Sequence, residues 1–277
     1  MLSDGSSVGA AITTRNRSKV LEIGLAHFKE FSKKLDRLVV VDDCSDEEER
    51  VIVRRLLEDF PIPVVYRESE VRLGISKAKN ACLAAMQDLD HVFLFDDDAW
   101  PVQEDWEEWW VQSSLESGIH HTMWMADCDK YPNANLDGLR AVVRPAQEIG
   151  EKLVAYTNCL GLLMYCSRHC LNLVGGFDPD FPNVYGYEHA QFSHRCRMAG
   201  VTSHFDYVTL KNCEEYIYSL DIMMNWLGKS YPLMEETYPP VYPSSVTPEE
   251  AQAHPQNGGR LNSNQVHIPL VDPLGVY

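Results

Sequence analysis

The sequence predicts an α/β fold, a mainly parallel sheet with helices packed on its faces. Three observations predict it. Short apolar, β-prone runs alternate with stretches of helical periodicity along residues 8–115, the rhythm of βαβ units. The run Val92-Phe93-Leu94-Phe95 is apolar without alternation, as a strand buried on both faces is. Three of the runs end in polar or charged residues: Thr13 and Arg15, Asp42 and Asp43, and Asp96-Asp97-Asp98. A parallel sheet gathers such ends on one edge, where open α/β folds bind their ligands.

Residues 8–13 form the first strand, closed by the polar, cationic run Thr13-Thr14-Arg15-Asn16-Arg17. Ser18 is the expected N-cap of a helix over 20–34, in which Leu21, Leu25, Phe28 and Phe31 recur at helical spacing. Residues 37–41 make the second strand, and Asp42-Asp43-Cys44-Ser45-Asp46 closes it. An amphipathic helix over 47–60, a short strand over 61–66 and a helix over 75–86 follow; the last carries Lys77 and Lys79 near its start. The fourth strand runs into the triple aspartate. A helix is expected from about Gln103, with acids in its first turn that suit the macrodipole. Trp106, Trp109 and Trp110 share one face of it and read as core rather than as a sugar-stacking platform. His120-His121 and residues 127–139 look loop-like. Strands are expected over 139–144 and 152–156, then an apolar run over 160–165 and a short helix opened by Ser167-Arg168-His169. From Tyr238 onward prolines, glycines and asparagines crowd the sequence. This predicts a loop-rich tail over 238–277 with a short helix at 249–253 at most, serving as a lid, as a contact for a second copy of the chain, or as loosely ordered polypeptide.

The chain has 277 residues and ordinary globular composition, enough for a substantial core. Its formal charge of −17 argues against nucleic acid and anionic membranes as main partners. No apolar run approaches the length of a membrane span, and residues 1–9 lack the pattern of a secretory signal. The eight cysteines are scattered singly, without a CxxC pair, as reduced thiols in a cytoplasmic protein are. Cys166 and Cys170 flank His169, but no second pair at zinc spacing accompanies them.

Three adjacent carboxylates at a strand end repel one another and resist burial unless a cation joins them. A hard divalent cation carrying a diphosphate is the natural guest. An acidic residue after a strand can also hydrogen-bond a base or ribose. Lys77, Lys79 or Arg15 can offset phosphate charge. No P-loop and no GxGxxG is present, so the phosphates call for a metal.

Four motifs together resemble the GT-A glycosyltransferases: Ala11-Ile12-Thr13-Thr14-Arg15-Asn16-Arg17, Val39-Val40-Val41-Asp42-Asp43-Cys44-Ser45, Gly74-Ile75-Ser76-Lys77-Ala78-Lys79-Asn80, and Phe93-Leu94-Phe95-Asp96-Asp97-Asp98. The likeness is to family 2, with echoes of the polypeptide N-acetylgalactosaminyltransferases. It implies a Rossmann-like nucleotide-binding half over 8–115 followed by an acceptor half over 116–237. It also implies a donor site in which Thr13 and Asp43 meet the base. By the same likeness Lys79, where an arginine is commoner, faces the donor, Asp96 lies near the ribose or sugar, and Asp98 binds Mn²⁺ or Mg²⁺. Asp97 is placed with the donor-binding residues, and Asp96 with the metal as well.

The second half carries Gly175-Gly176-Phe177-Asp178, then Tyr185-Gly186-Tyr187-Glu188-His189. In the same families such a turn leads to a Glu-Asp or Glu-Asn pair opening a helix; here the pair is Glu188-His189. Transfer by direct attack needs a base for the acceptor hydroxyl. Glu188 or His189 suits that role, and tyrosines beside Glu188 would raise its pKa. His204 and His267 are the histidines available as a further metal ligand. The sequence thus predicts a metal-dependent, cytoplasmic glycosyltransferase of bacterial or viral type. It would move a sugar from a nucleotide-sugar, a UDP-sugar in first place, to a hydroxyl of a protein or glycan. The alternative is a catalytically silent nucleotide-sugar or glycan-binding module.

Overall fold

The structure is a computed structural model that describes residues 1–127, 130, 145–158, 160–181, 188–220 and 265–275. Its centre is a six-stranded sheet in the order β3-β2-β1-β4-β9-β6. Strands β1 (Val8–Thr14), β2 (Arg37–Asp42), β3 (Val64–Glu68) and β4 (His91–Asp96) run parallel. Helices α1 (Ser18–Phe31), α2 (Glu47–Leu57) and α3 (Ile75–Ala84) connect them. The predicted mainly parallel α/β sheet is therefore present. Register fixes what matters for function: Thr13 pairs with both Val41 and Asp96, and Thr14 pairs with Asp42. The polar ends of β1, β2 and β4 thus share one edge.

β9 (Leu163–Ser167) runs antiparallel to β4, and β6 (His121–Met123) antiparallel to β9. β6 therefore points the same way as β4, and its end joins the same edge. A second, antiparallel sheet has the order β10-β8-β7, from β7 (Pro145–Ile149), β8 (Leu153–Tyr156) and β10 (Tyr207–Leu210). Strand β5 (Ala99–Pro101) pairs with β11 (Ile217–Ser219), and helices α4 (Trp106–Glu116), α5 (Arg168–Val174) and α6 (Glu188–Met198) complete the described elements.

The core forms where α1 and α4 meet the sheet. Phe28 meets Phe95 edge-on at 5.1 Å, and Phe93 meets Trp106 at 4.8 Å. Both buried indoles find acceptors, Trp106 on Ser32 Oγ at 3.1 Å and Trp110 on Thr122 Oγ1 at 2.8 Å, so their N–H groups cost little to bury. Trp109 is half-buried and stacks on Tyr216 at 3.8 Å. The tryptophan face is core, as expected.

Several boundaries differ from expectation for local reasons. Ser18 is not the N-cap of α1 but its first helical residue; its N–H donates to Glu49 of α2 at 2.8 Å. β3 starts at Val64 rather than residue 61, because Pro61 and Pro63 have no N–H to give a ladder. The helix expected from Gln103 begins at Trp106, since residues 99–101 are drawn into β5 by a partner more than a hundred residues away. His121 is in a strand, not a loop. The strand expected over 139–144 and the helix over 249–253 lie outside the described residues. Part of the tail is firmly docked: Ile268 bridges to Gly175, and Arg67 donates to Asp272 Oδ2 and to the carbonyl of Gly275, both at 2.9 Å. No helix among the described residues is long and apolar enough to cross a membrane.

Candidate active site

The site is built at the carboxyl edge of the sheet by the ends of β1, β2 and β4, by the middle of α3 and by the first residues of α6. β4 is buried until Asp96, where the chain breaks out of the sheet. The three aspartates then take three different environments.

Asp97 turns inward. It is 5% exposed; one carboxylate oxygen accepts from Thr14 Oγ1 at 2.8 Å and the other lies 2.6 Å from Arg17 Nη1. Both oxygens are engaged by the protein, which makes Asp97 a structural brace between β1 and β4. Asp98 is mostly shielded, with Arg17 Nη2 3.6 Å away. Asp96 keeps 43% of its side-chain surface, yet protein crowds around its carboxyl group. That desolvation, with Asp98 and Glu188 nearby, pushes its carboxyl up to about 6 against the opposing pull of Lys79.

Lys79 of α3 is fully buried and donates to Glu188 Oε1 at 2.8 Å; its ammonium also lies 3.8 Å from Asp96 and 3.4 Å from the carbonyl of Gly161. Burial disfavours its charge, but Glu188 and Asp96 outweigh that and raise its pKa. Glu188 is correspondingly held well below the usual carboxylate range: burial would raise it, but the Lys79 charge and the nearby His189 ring prevail. The expectation of a raised Glu188 is therefore overturned, because a cation that α3 supplies faces it. The neighbours first invoked for that rise, Tyr185 and Tyr187, lie outside the described residues.

His189 Nδ1 stands 3.6 Å from Glu188 Oε1. Its ring packs so close to Gly161 that an added Cβ there would come within 2.5 Å of Nδ1, so the chain needs glycine at that position. The turn Gly175-Gly176-Phe177 is tied to α3 through Asn80, which accepts from Phe177 N at 2.7 Å and donates to its carbonyl at 2.9 Å. Phe177 in turn stacks on Phe192 of α6 at 4.6 Å. Lys79 and Asn80, adjacent on α3, thus join the two halves of the site.

The remaining predicted residues fall as follows. Thr13 sits beside Asp96 in the sheet register. Asp43 is at the same edge, with its carboxylate receiving the backbone N–H groups of Leu73 and Gly74, the latter at 3.1 Å. Arg15 is exposed, and no ion pair joins it to the aspartates; Arg17 takes that place. His204 is not brought to the edge: it lines a cleft with Ile119 and Arg197, next to the start of β6, at the other end of the strands. His267 is exposed beside Gly175. Among the described residues no group of three or more metal-capable side chains gathers. A further cleft of about 380 Å³ opens at the end of β6, lined by Met125, Asp127, Tyr156 and Lys211 among others.

Sequence reasoning missed Thr14, Arg17 and Asn80. Arg17 was legible only as one of two arginines in a cationic run. The left-handed turn at Asn16, φ 52°, selects Arg17 as the one aimed at the aspartates.

Comparison with known proteins supports this reading. Residues 10–110 match the glycosyl transferase family 2 model. An uncharacterized glycosyltransferase, R363, of Acanthamoeba polyphaga mimivirus is 28% identical over 200 residues, spanning 68% of this chain and 72% of that protein. The fold is similar to a mannosyltransferase, PcManGT, of Pyrobaculum calidifontis, solved with GDP-Man and Mn²⁺ (TM-score 0.57, 22% identity, 72% of this chain). It is also similar to GalNAc-T7 solved with UDP, GalNAc and Mn²⁺ (TM-score 0.57, 14% identity, 85% of this chain). The match spans about half of those two structures, 55% and 47%. Residues 10–110 thus match the glycosyl transferase family 2 model, and the fold of the chain is similar to that of these GT-A glycosyltransferases.

Proposed function

We propose that the protein transfers a sugar from a UDP-sugar to a hydroxyl of a protein or glycan acceptor, with a divalent metal at Asp96 and Asp98. The observation that carries this is the pairing of those two carboxylates at the sheet edge. Asp96 is pushed up to about 6 by desolvation and like charge, which is the state a cation relieves. Two carboxylates suit a hard cation that keeps contacts to water and substrate phosphates, so the donor set fits Mn²⁺ or Mg²⁺. The metal, when bound, supplies Lewis-acid charge to the leaving diphosphate.

The chain's own residues do the rest. Thr13 and Asp43 lie where a base would sit, and Asp43 has lone pairs left to accept a base N–H. Lys79 holds Asp96 and Glu188 in one frame and so fixes donor and acceptor sides relative to each other. A carboxylate kept well below its usual range is a poor proton acceptor. The base for the acceptor hydroxyl is therefore His189, with Glu188 orienting its ring. The cleft at the end of β6 is on the acceptor side of the same edge. Six free thiols among the described residues suit a reducing, cytoplasmic setting.

Calorimetric titration with UDP and with GDP, each with and without Mn²⁺, tests the donor assignment. Tight UDP binding that needs Mn²⁺ is expected, and preference for GDP would reassign the base. His189→Gln is expected to leave UDP affinity intact while lowering turnover at least a hundredfold. Binding of UDP without turnover of any UDP-sugar by the wild type would mark a silent binding module instead.

A further inference from the structure

Arg17 stands at the start of α1 and reaches across the end of β4. Its guanidinium makes two unequal contacts, 2.6 Å to Asp97 and 3.6 Å to Asp98. The first is an anchor, since Asp97 is buried and also held by Thr14. The second is beyond hydrogen-bond reach and is an attraction between charges. Arg17 Nε is buried and has no hydrogen-bond partner among the described residues. A buried donor left without an acceptor, beside a guanidinium arm that is only partly engaged, can be satisfied by an incoming anion. The side chain keeps 29% exposure, so a ligand can reach the guanidinium although Nε itself is buried.

We propose that Arg17 is the resident counter-cation of the donor site. It offsets Asp98 before metal and donor arrive, and then gives its N–H groups to the donor's diphosphate. The proposal rests on reading this edge as a nucleotide-sugar site. A guanidinium suits both states because it is always charged and presents several N–H groups in a rigid fork. While one arm stays on Asp97, the other arm and Nε can change partner without moving the backbone.

Two effects of opposite sign follow. In the free protein Arg17 competes with a divalent cation for Asp98. In the donor complex it adds to the hold on the diphosphate. Arg17→Gln should therefore bind Mn²⁺ more tightly than the wild type in the absence of nucleotide, by roughly three- to tenfold. The same variant should bind UDP, at saturating Mn²⁺, about tenfold more weakly. Arg17→Lys keeps the charge and loses the fork, so its Mn²⁺ affinity should stay near wild type while its UDP affinity falls.

Mn²⁺ titration of the nucleotide-free protein followed by electron paramagnetic resonance, paired with calorimetry using UDP, reads both quantities. A brace with no part in binding would weaken both together in Arg17→Gln, and that result overturns the proposal. If Arg17→Gln does not fold, Arg17→Lys carries the test, and unchanged UDP affinity there overturns it. A wild type that binds neither Mn²⁺ nor UDP removes the donor-site reading itself and the proposal with it.

Discussion

Lys79 and Glu188 form a buried ion pair, 2% and 6% exposed, whose partners come from the two halves of the chain. Removing one partner strands the other as an uncompensated charge. Glu188→Gln is expected to cost about 3–5 kcal/mol, read as a lowered midpoint in urea unfolding. Adding Lys79→Met to it should recover much of that loss, because two apolar or neutral groups of similar volume replace a pair that was expensive to desolvate. A double-variant cost equal to the sum of the singles would deny the coupling.

Glu107 is a second informative residue. It is fully buried, its Oε2 has no hydrogen-bond partner among the described residues, and burial pushes its carboxyl up to about 7 from 4.5. An acid whose pKa is higher folded than unfolded favours the folded state only while protonated. Its contribution is therefore full below pH 4.5 and is lost as pH rises toward 7, by at most about 3 kcal/mol. Glu107→Gln should match the wild type near pH 4 and exceed it above pH 7. Parallel stability profiles for the two proteins would show that Glu107 does not titrate in this range.

At the scale of elements, what the sequence revealed depended on how local the cause was. β1, β2 and β4 declare themselves through continuous apolar runs, and α1 through its Leu21, Leu25 and Phe28 spacing, because burial is written into each segment. β5 and β6 are three residues each and exist because β11 and β9 pair with them; no periodicity within three residues could announce that. The aspartates were legible as a site, but their division of labour was not. Asp97's role depends on Thr14 and Arg17, brought beside it by sheet register and by one left-handed turn. Glu188's low pKa depends on Lys79, more than a hundred residues away. The Asn80 clamp makes a prediction at this scale. Asn80→Ala removes both side-chain bonds to Phe177 and leaves a buried N–H and carbonyl unpaired, at a cost of about 2–3 kcal/mol. Hydrogen exchange should show the Gly175–Phe177 turn opening faster; unchanged protection there would refute the clamp.

Over the whole molecule, a parallel sheet delivers the polar ends of β1, β2 and β4 to one edge. Antiparallel β9 then allows β6 to extend that edge. α3 holds the halves together through two adjacent side chains, and residues 265–275 strap β3 to the Gly175 turn by Arg67 and Ile268. The three aspartates stand in unequal surroundings: Asp97 is buried and held by Thr14 and Arg17, and the proposed function gives the metal to Asp96 and Asp98. The most direct test is nucleotide release from a panel of UDP-sugars by the wild type, Asp98→Asn and Asp97→Asn, each with Mn²⁺ and with EDTA. The account predicts release of UDP from one sugar that needs Mn²⁺. Asp98→Asn should abolish it without lowering the melting temperature, whereas Asp97→Asn should lower the melting temperature. Full turnover in EDTA, or wild-type metal dependence retained in Asp98→Asn, would contradict it.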